Sequence, residues 1–192
     1  MEYIVWLIAA YVVGNFLTAY IFAKLAHNES ILESGSGNPG ARNAGRMYGR
    51  KAFFITFFGD AFKILLIVLL AKKVGISLNG QLGIIFAVIL GHIYPVFFKF
   101  RGGKGVACYL VGMLLVDPYI FIYFILAFIL LLIFVRSFTI ACMIAIMIYP
   151  LFFIYFSYDA TTIFLLYMIA ALIILAHKEN VTRKFAKRGA EE

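Results

Sequence analysis

Residues 101–118 read Arg101-Gly102-Gly103-Lys104-Gly105-Val106-Ala107-Cys108-Tyr109-Leu110-Val111-Gly112-Met113-Leu114-Leu115-Val116-Asp117-Pro118. The apolar run inside them is short for a membrane crossing. Counted generously, it covers about 20 Å at 1.5 Å per residue, against about 30 Å of hydrocarbon core. Six other apolar runs are longer: about residues 3–23, 52–71, 80–98, 119–135, 138–156 and 161–176. Whether Val106–Val116 also crosses therefore decides between six and seven spans. It also decides which polar segments share a face.

Charge settles the choice, because lysine and arginine in short loops favour the cytoplasmic side. Seven crossings with the N-terminus outside put Lys24, Arg42, Arg46, Arg50, Lys51, Lys99, Arg101, Lys104, Arg136, Lys178, Arg183, Lys184, Lys187 and Arg188 inside. Only Lys72 and Lys73 fall outside, with Asp117 and Asp159, while Lys63 lies within a span. The expected fold is all-α: one polytopic membrane helix bundle over residues 1–192, with seven transmembrane helices and a cytoplasmic C-terminus. The composition agrees, since 65% of the 192 residues are hydrophobic and 14% charged, more apolar surface than one soluble core encloses. The first apolar run follows Glu2 rather than a basic region and lacks a small-residue cleavage pattern, so it reads as a retained span. The net charge is +8, as in many nucleic-acid binders, but the basic residues flank spans instead of clustering on a soluble domain, and no nucleic-acid role is assigned. Cys108 and Cys142 both lie in apolar runs without metal-site spacing and read as packing residues.

This topology collects three polar stretches at the cytoplasmic face. The first is Gly35-Ser36-Gly37-Asn38-Pro39-Gly40-Ala41-Arg42-Asn43-Ala44-Gly45-Arg46 and the second Phe100 to Gly105. The third is His177-Lys178-Glu179-Asn180-Val181-Thr182-Arg183. Glycines, amide and hydroxyl donors and fixed positive charge are the materials of an anion pocket, with phosphate the first ligand to consider. Lys104 lies at the expected start of the short helix, where unpaired N–H groups and the helix dipole favour an anion. Gly102, Gly103 and Gly105 permit close approach and positive φ, as in a phosphate nest. An ordinary glycine turn with an interfacial lysine would look the same in isolation. If the chain turns helical after Pro39, Arg42, Arg46 and Arg50 share a face, and Arg46 can grip phosphate with two parallel hydrogen bonds. His177, Asn180 and Lys184 point one way if the last helix continues past the membrane. His177 is the general-base candidate at that interface, or else a hydrogen-bonding helix-end residue. His92 reads as an organiser of structure. Asp60 and Lys63, three apart within a span, require pairing or a function.

Together the stretches resemble the PlsY family of bacterial acyl-phosphate:glycerol-3-phosphate acyltransferases. The resemblance runs through Ser36-Gly37-Asn38-Pro39-Gly40 with Asn43 and Arg46, through Asp60-x-x-Lys63, and through Gly91-His92-x-Tyr94-Pro95-Val96-Phe97 to Gly102-Gly103-Lys104-Gly105-Val106-Ala107. It ends in His177-x-x-Asn180-x-x-Arg183. One departure is Arg42, where the family more often carries threonine. The resemblance implies transfer of a fatty acyl group from acyl phosphate to the 1-hydroxyl of glycerol 3-phosphate. The products are 1-acylglycerol 3-phosphate (lysophosphatidic acid) and phosphate, the first acylation of bacterial phospholipid synthesis. It implies a site at the cytoplasmic face of the inner membrane, membrane lipid as surroundings, a monomer, and no metal or cofactor. The sequence agrees with a donor other than acyl-CoA or acyl-ACP, since none of the three histidines has an aspartate five residues on: Leu32, Phe97 and Thr182 stand there. The expected phosphate-binding set is Ser36, Gly37, Asn38, Asn43, Arg46, Gly102, Gly103, Lys104, Gly105, His177 and Asn180. Asp60, Lys63, His92 and Glu179 are expected to support it. The departing phosphate is expected to take the hydroxyl proton, with His177 as the competing base. A transporter for a phosphate-bearing solute is the alternative, against which stand the gathering of polar groups at one face and the want of an internal repeat.

Overall fold

The computed structural model describes residues 2–178 and is all-helical, with no strand among the described residues. The helices are α1 (Glu2–Gly14), α2 (Thr18–His27), α3 (Ala41–Lys73), α4 (Leu78–Ile93), α5 (Val106–Val116), α6 (Pro118–Val135), α7 (Phe138–Tyr155) and α8 (Ala160–Ala176). A 3₁₀ turn occupies Val96–Phe98. The chain divides into two compact units, Met1–Val116 and Asp117–Glu192. Among the described residues, five stretches are long and apolar enough to cross a membrane: Glu2–His27, Ala41–Lys73, Leu78–Phe98, Pro118–Val135 and Phe138–Tyr155. Val106–Val116 and Ala160–Ala176 are apolar but shorter.

In the first unit α4 is the central helix, packed on α1, α3 and α5. Leu82, Ile84, Ile85, Val88 and Ile89 are fully buried on it. Helices surrounded by lipid associate through close packing, and small residues allow it. Here Ala19 and Ala23 of α2 meet Ala44 and Ala52 of α3, and Gly112 of α5 sits against Ile64 and Ile85. The opposite face of α3 carries Phe54, Phe58, Phe62 and Leu66, all exposed at helical four-residue spacing. A stripe of that kind suits lipid and not water.

Three expectations are corrected here. The first apolar run is not one helix, because the chain leaves helical geometry between Gly14 and Thr18. Gly14 lies against Val88, Gly91 and His92 of α4 with no room for a β-carbon. The third run ends as a helix at Ile93, where Pro95 follows and Lys99 and Phe100 take left-handed backbone (φ 52° and 61°). Finally, Arg42, Arg46 and Arg50 do not all share a face. α3 begins at Ala41, just after Pro39, but Gly49 has φ 84° and ψ −178°. A β-carbon at Gly49 would meet nothing within 4 Å, so its backbone conformation, not space, calls for glycine. Arg42 and Arg46 lie before this break and Arg50 after it, and all three are exposed.

The second unit is built on acidic caps. Asp117 Oδ1 accepts from the N–H groups of Tyr119 and Ile120, each at 2.9 Å, at the start of α6. Asp159 Oδ1 does the same for Thr161 and Thr162 at α8, at 3.0 and 3.1 Å. These are N-cap bonds that satisfy helix-start donors. The Tyr158 hydroxyl donates to Asp117 Oδ2 at 2.7 Å, joining the α7–α8 turn to the start of α6. That hydrogen bond pushes the Tyr158 hydroxyl up to about 12.

Candidate active site

A helix broken inside a membrane leaves carbonyls that lipid cannot satisfy. At the α1–α2 break the acceptors are Gly14 O and Phe16 O, and Lys63 Nζ donates to both, at 3.1 and 2.7 Å. The same ammonium lies 2.8 Å from His92 Nδ1 and 3.2 Å from Asp60 Oδ1. Asp60 Oδ1 also accepts from the Thr18 hydroxyl at 3.0 Å, and its main-chain carbonyl accepts from Cys108 Sγ at 3.4 Å. Asp60, Lys63 and His92 are all buried. A lone buried charge is costly, whereas this one is both paired and hydrogen-bonded. Asp60 and Lys63 pair with each other, and through Lys63 the pair satisfies the carbonyls of the broken helix.

The polar loop 99–105 runs in beside this cluster. Gly103 N donates to His92 O at 2.9 Å. A β-carbon at Gly102 would overlap the carbonyls of His92 and Ile93, and one at Gly103 would overlap His92 Nε2. Only Gly105 of the three has positive φ, 74°. Gly102 and Gly103 are therefore glycine for close packing on α4, a correction to the expectation of positive φ at all three. Gly105 precedes α5 and its carbonyl accepts from Tyr109 N at 2.8 Å, so the free N–H groups of the helix start face the loop that carries Lys104. Lys104 is half-buried. Cys108, four residues after Lys104, is level with Asp60 of α3, which lies about 13 Å along the helix from Lys51. At its other end, α5 is level with the end of α3, where Lys72 Nζ donates to Leu115 O.

The other loop of this unit, residues 28–40, is shaped from α3. Buried Asn43 accepts from Ser36 N at 3.0 Å through Oδ1 and donates to Ser34 O at 2.9 Å through Nδ2. Gly35 and Gly37 take left-handed φ, 63° and 70°, and leave Ser36 exposed at the tip, with Asn38 half-buried after it. Asn43, expected on phosphate, thus shapes the loop that presents Ser36. Arg46 projects one turn further along α3 and is exposed. Arg101 Nη2 donates to Leu32 O at 2.7 Å and ties the two loops together. Arg101 and Thr18 were not singled out by the sequence. Arg101 stands among several basic residues, and Thr18 becomes significant only where an apolar run proves to be broken.

In the second unit His177 is the C-cap of α8 and is buried, with Nδ1 2.9 Å from Ile173 O. A carbonyl can only accept, so Nδ1 carries the proton, and in the neutral ring Nε2 holds the lone pair a base would use. α8 ends at Ala176 with His177 as its C-cap, and whether His177, Asn180 and Lys184 point one way depends on residues beyond those described. Glu179, Asn180, Arg183 and Lys184 lie outside the described residues. Among the described residues no group of three or more His, Cys, Asp or Glu side chains stands close enough to hold a metal ion.

The family model described as glycerol-3-phosphate acyltransferase matches residues 4–187. The chain belongs to the PlsY family of membrane acyltransferases. Its relatives include glycerol-3-phosphate acyltransferase 1 of Bacillus cereus, 41% identical over 91% of this chain and 96% of that protein. The glycerol-3-phosphate acyltransferase of Coxiella burnetii is 34% identical over 100% of this chain and 98% of its own length. Among solved structures, PlsY in its glycerol 3-phosphate form superposes with a TM-score of 0.86 at 32% identity, covering 98% of this chain and 94% of that one. The lysophosphatidic acid form gives 0.83 at 33% identity. The PlsY fold and its integral membrane character therefore hold for this chain.

Proposed function

We propose that this protein transfers a fatty acyl group from acyl phosphate to the 1-hydroxyl of glycerol 3-phosphate. The products are lysophosphatidic acid and inorganic phosphate. The observation that carries the reading is the match to PlsY over 98% of the chain, to forms described with the acceptor and with the product. The site residues are compatible with it. Both substrates bring phosphoryl groups, and Ser36, Arg46, Lys104, His177 and Asn180 are assigned to binding them. Gly37, Asn38 and the Gly102–Gly105 backbone shape the surroundings. The glycerol oxygen attacks the acyl carbonyl carbon, the carbon–oxygen bond to phosphate breaks, and the departing phosphate takes the hydroxyl proton. Acyl phosphate is already activated, so positioning and charge stabilisation supply the catalysis and no protein nucleophile is needed.

The bundle is assigned seven crossings in a bacterial inner membrane, N-terminus outside and C-terminus cytoplasmic, with its site at the cytoplasmic face. The charge distribution supports this, as does α5 ending level with α3 despite its length. The chain acts as a single membrane domain and as a monomer surrounded by lipid. Purified protein in detergent, given acyl phosphate and glycerol 3-phosphate, is expected to release phosphate and lysophosphatidic acid in equal amounts. Acylation from acyl-CoA but not from acyl phosphate would overturn the donor assignment.

A further inference from the structure

Lys63 and His92 have more to explain than the repair of a broken helix. Lys63 Nζ has three N–H bonds and four acceptors within 3.2 Å: Gly14 O, Phe16 O, His92 Nδ1 and Asp60 Oδ1. An ammonium donates only, so His92 Nδ1 is an acceptor and the ring proton of the neutral imidazole sits on Nε2. Nε2 is the atom packed against the Cα of Gly103, where a methyl group would overlap it. His92 O meanwhile accepts from Gly103 N at 2.9 Å. Gly103 is thus held twice by one residue, through its main-chain carbonyl and through its ring, and the ring is oriented by Lys63. The next residue is Lys104.

We infer that Lys63 and His92 are positioning residues for the anion-binding loop: the α1–α2 break, the Asp60–Lys63 pair and the His92 ring form one rigid relay that sets the depth of Gly103 and Lys104. The inference rests on the proposed function for what the loop binds, and on geometry alone for the relay. Neither residue touches substrate. Each acts through the loop backbone, so its loss weakens phosphate binding before it affects the chemical step.

A double-mutant cycle between His92 and Gly103 tests this, read by glycerol 3-phosphate binding and by turnover in detergent. Gly103→Ala drives a methyl group into the ring and is expected to abolish binding in an otherwise unchanged chain. His92→Ala removes the ring and makes room for that methyl group. In the His92→Ala/Gly103→Ala double variant, affinity is expected to recover at least about tenfold over Gly103→Ala alone. His92→Asn, whose side-chain oxygen replaces Nδ1 as acceptor for Lys63, is expected to fold normally and to raise KM for glycerol 3-phosphate more than it lowers kcat. Additive losses in the cycle, or a fall in kcat at unchanged KM for His92→Asn, would overturn the inference. If the wild type binds glycerol 3-phosphate and the cycle shows recovery, but no acyl transfer occurs, the relay stands and the enzymatic reading falls.

Discussion

Lys104 and His177 carry different kinds of chemical expectation. Lys104 supplies fixed positive charge at the start of a helix, and stabilisation of this kind is commonly worth about 100-fold or more in rate when one donor is removed. Lys104→Met should lose at least that much activity while eluting like the parent. As a base His177 would use Nε2, since Nδ1 is engaged by the Ile173 carbonyl, but the proposed proton transfer to the leaving phosphate would make that base dispensable. His177→Ala should therefore keep kcat within about tenfold of the parent and keep the shape of its pH–rate profile. Loss of the alkaline plateau would assign His177 the proton. Lys63→Met has a structural consequence instead. It leaves Asp60 buried without its partner and two carbonyls unsatisfied, for a loss of about 3–5 kcal/mol in stability. Combining it with Asp60→Asn should restore part of the lost melting temperature. At this scale the sequence showed which residues were unusual, because a lysine, an aspartate and a histidine inside apolar runs are conspicuous. It did not show that Asn43 faces its own loop or that Gly102 and Gly103 are fitted to His92. Those are contacts between segments distant in the chain.

Element boundaries follow local chemistry wherever a cap or a proline sets them. α5, α6 and α7 start where the apolar runs start, and α6 and α8 begin directly after Asp117 and Asp159. The breaks were not legible, since Gly14 and Gly49 resemble other glycines in the chain until α4 is packed on α1 and the φ of 84° is known. Gly49→Ala should cost about 1–2 kcal/mol from the left-handed backbone, with no steric contribution. The cost would show as a lower melting temperature. The Tyr158–Asp117 bond gives a pH-dependent prediction. The folded hydroxyl titrates near 12 against a reference of 10.0, so the folded state holds the proton more tightly than the unfolded one. Its contribution is full below pH 10 and is lost as pH rises from 10 toward 12. Melting curves of Tyr158→Phe should be less sensitive to pH across that window than those of the parent, and equal sensitivity would remove the bond from the account.

For the whole molecule, the central claim is that a membrane bundle holds an activated acyl donor and a phosphate-bearing acceptor at a cationic loop recessed beside α3. Composition was enough to read the membrane class and the all-helical architecture. The placement of the loop along α3 was not readable, because it depends on the contact of Cys108 near the start of α5 with Asp60. The most direct measurement is turnover of purified protein with acyl phosphate and labelled glycerol 3-phosphate, in parallel for the parent and for Lys104→Met. Lysophosphatidic acid and phosphate are expected in a one-to-one ratio from the parent, with a loss of at least about 100-fold in the variant. Equal turnover by the two proteins, or none by a folded parent, would contradict the claim.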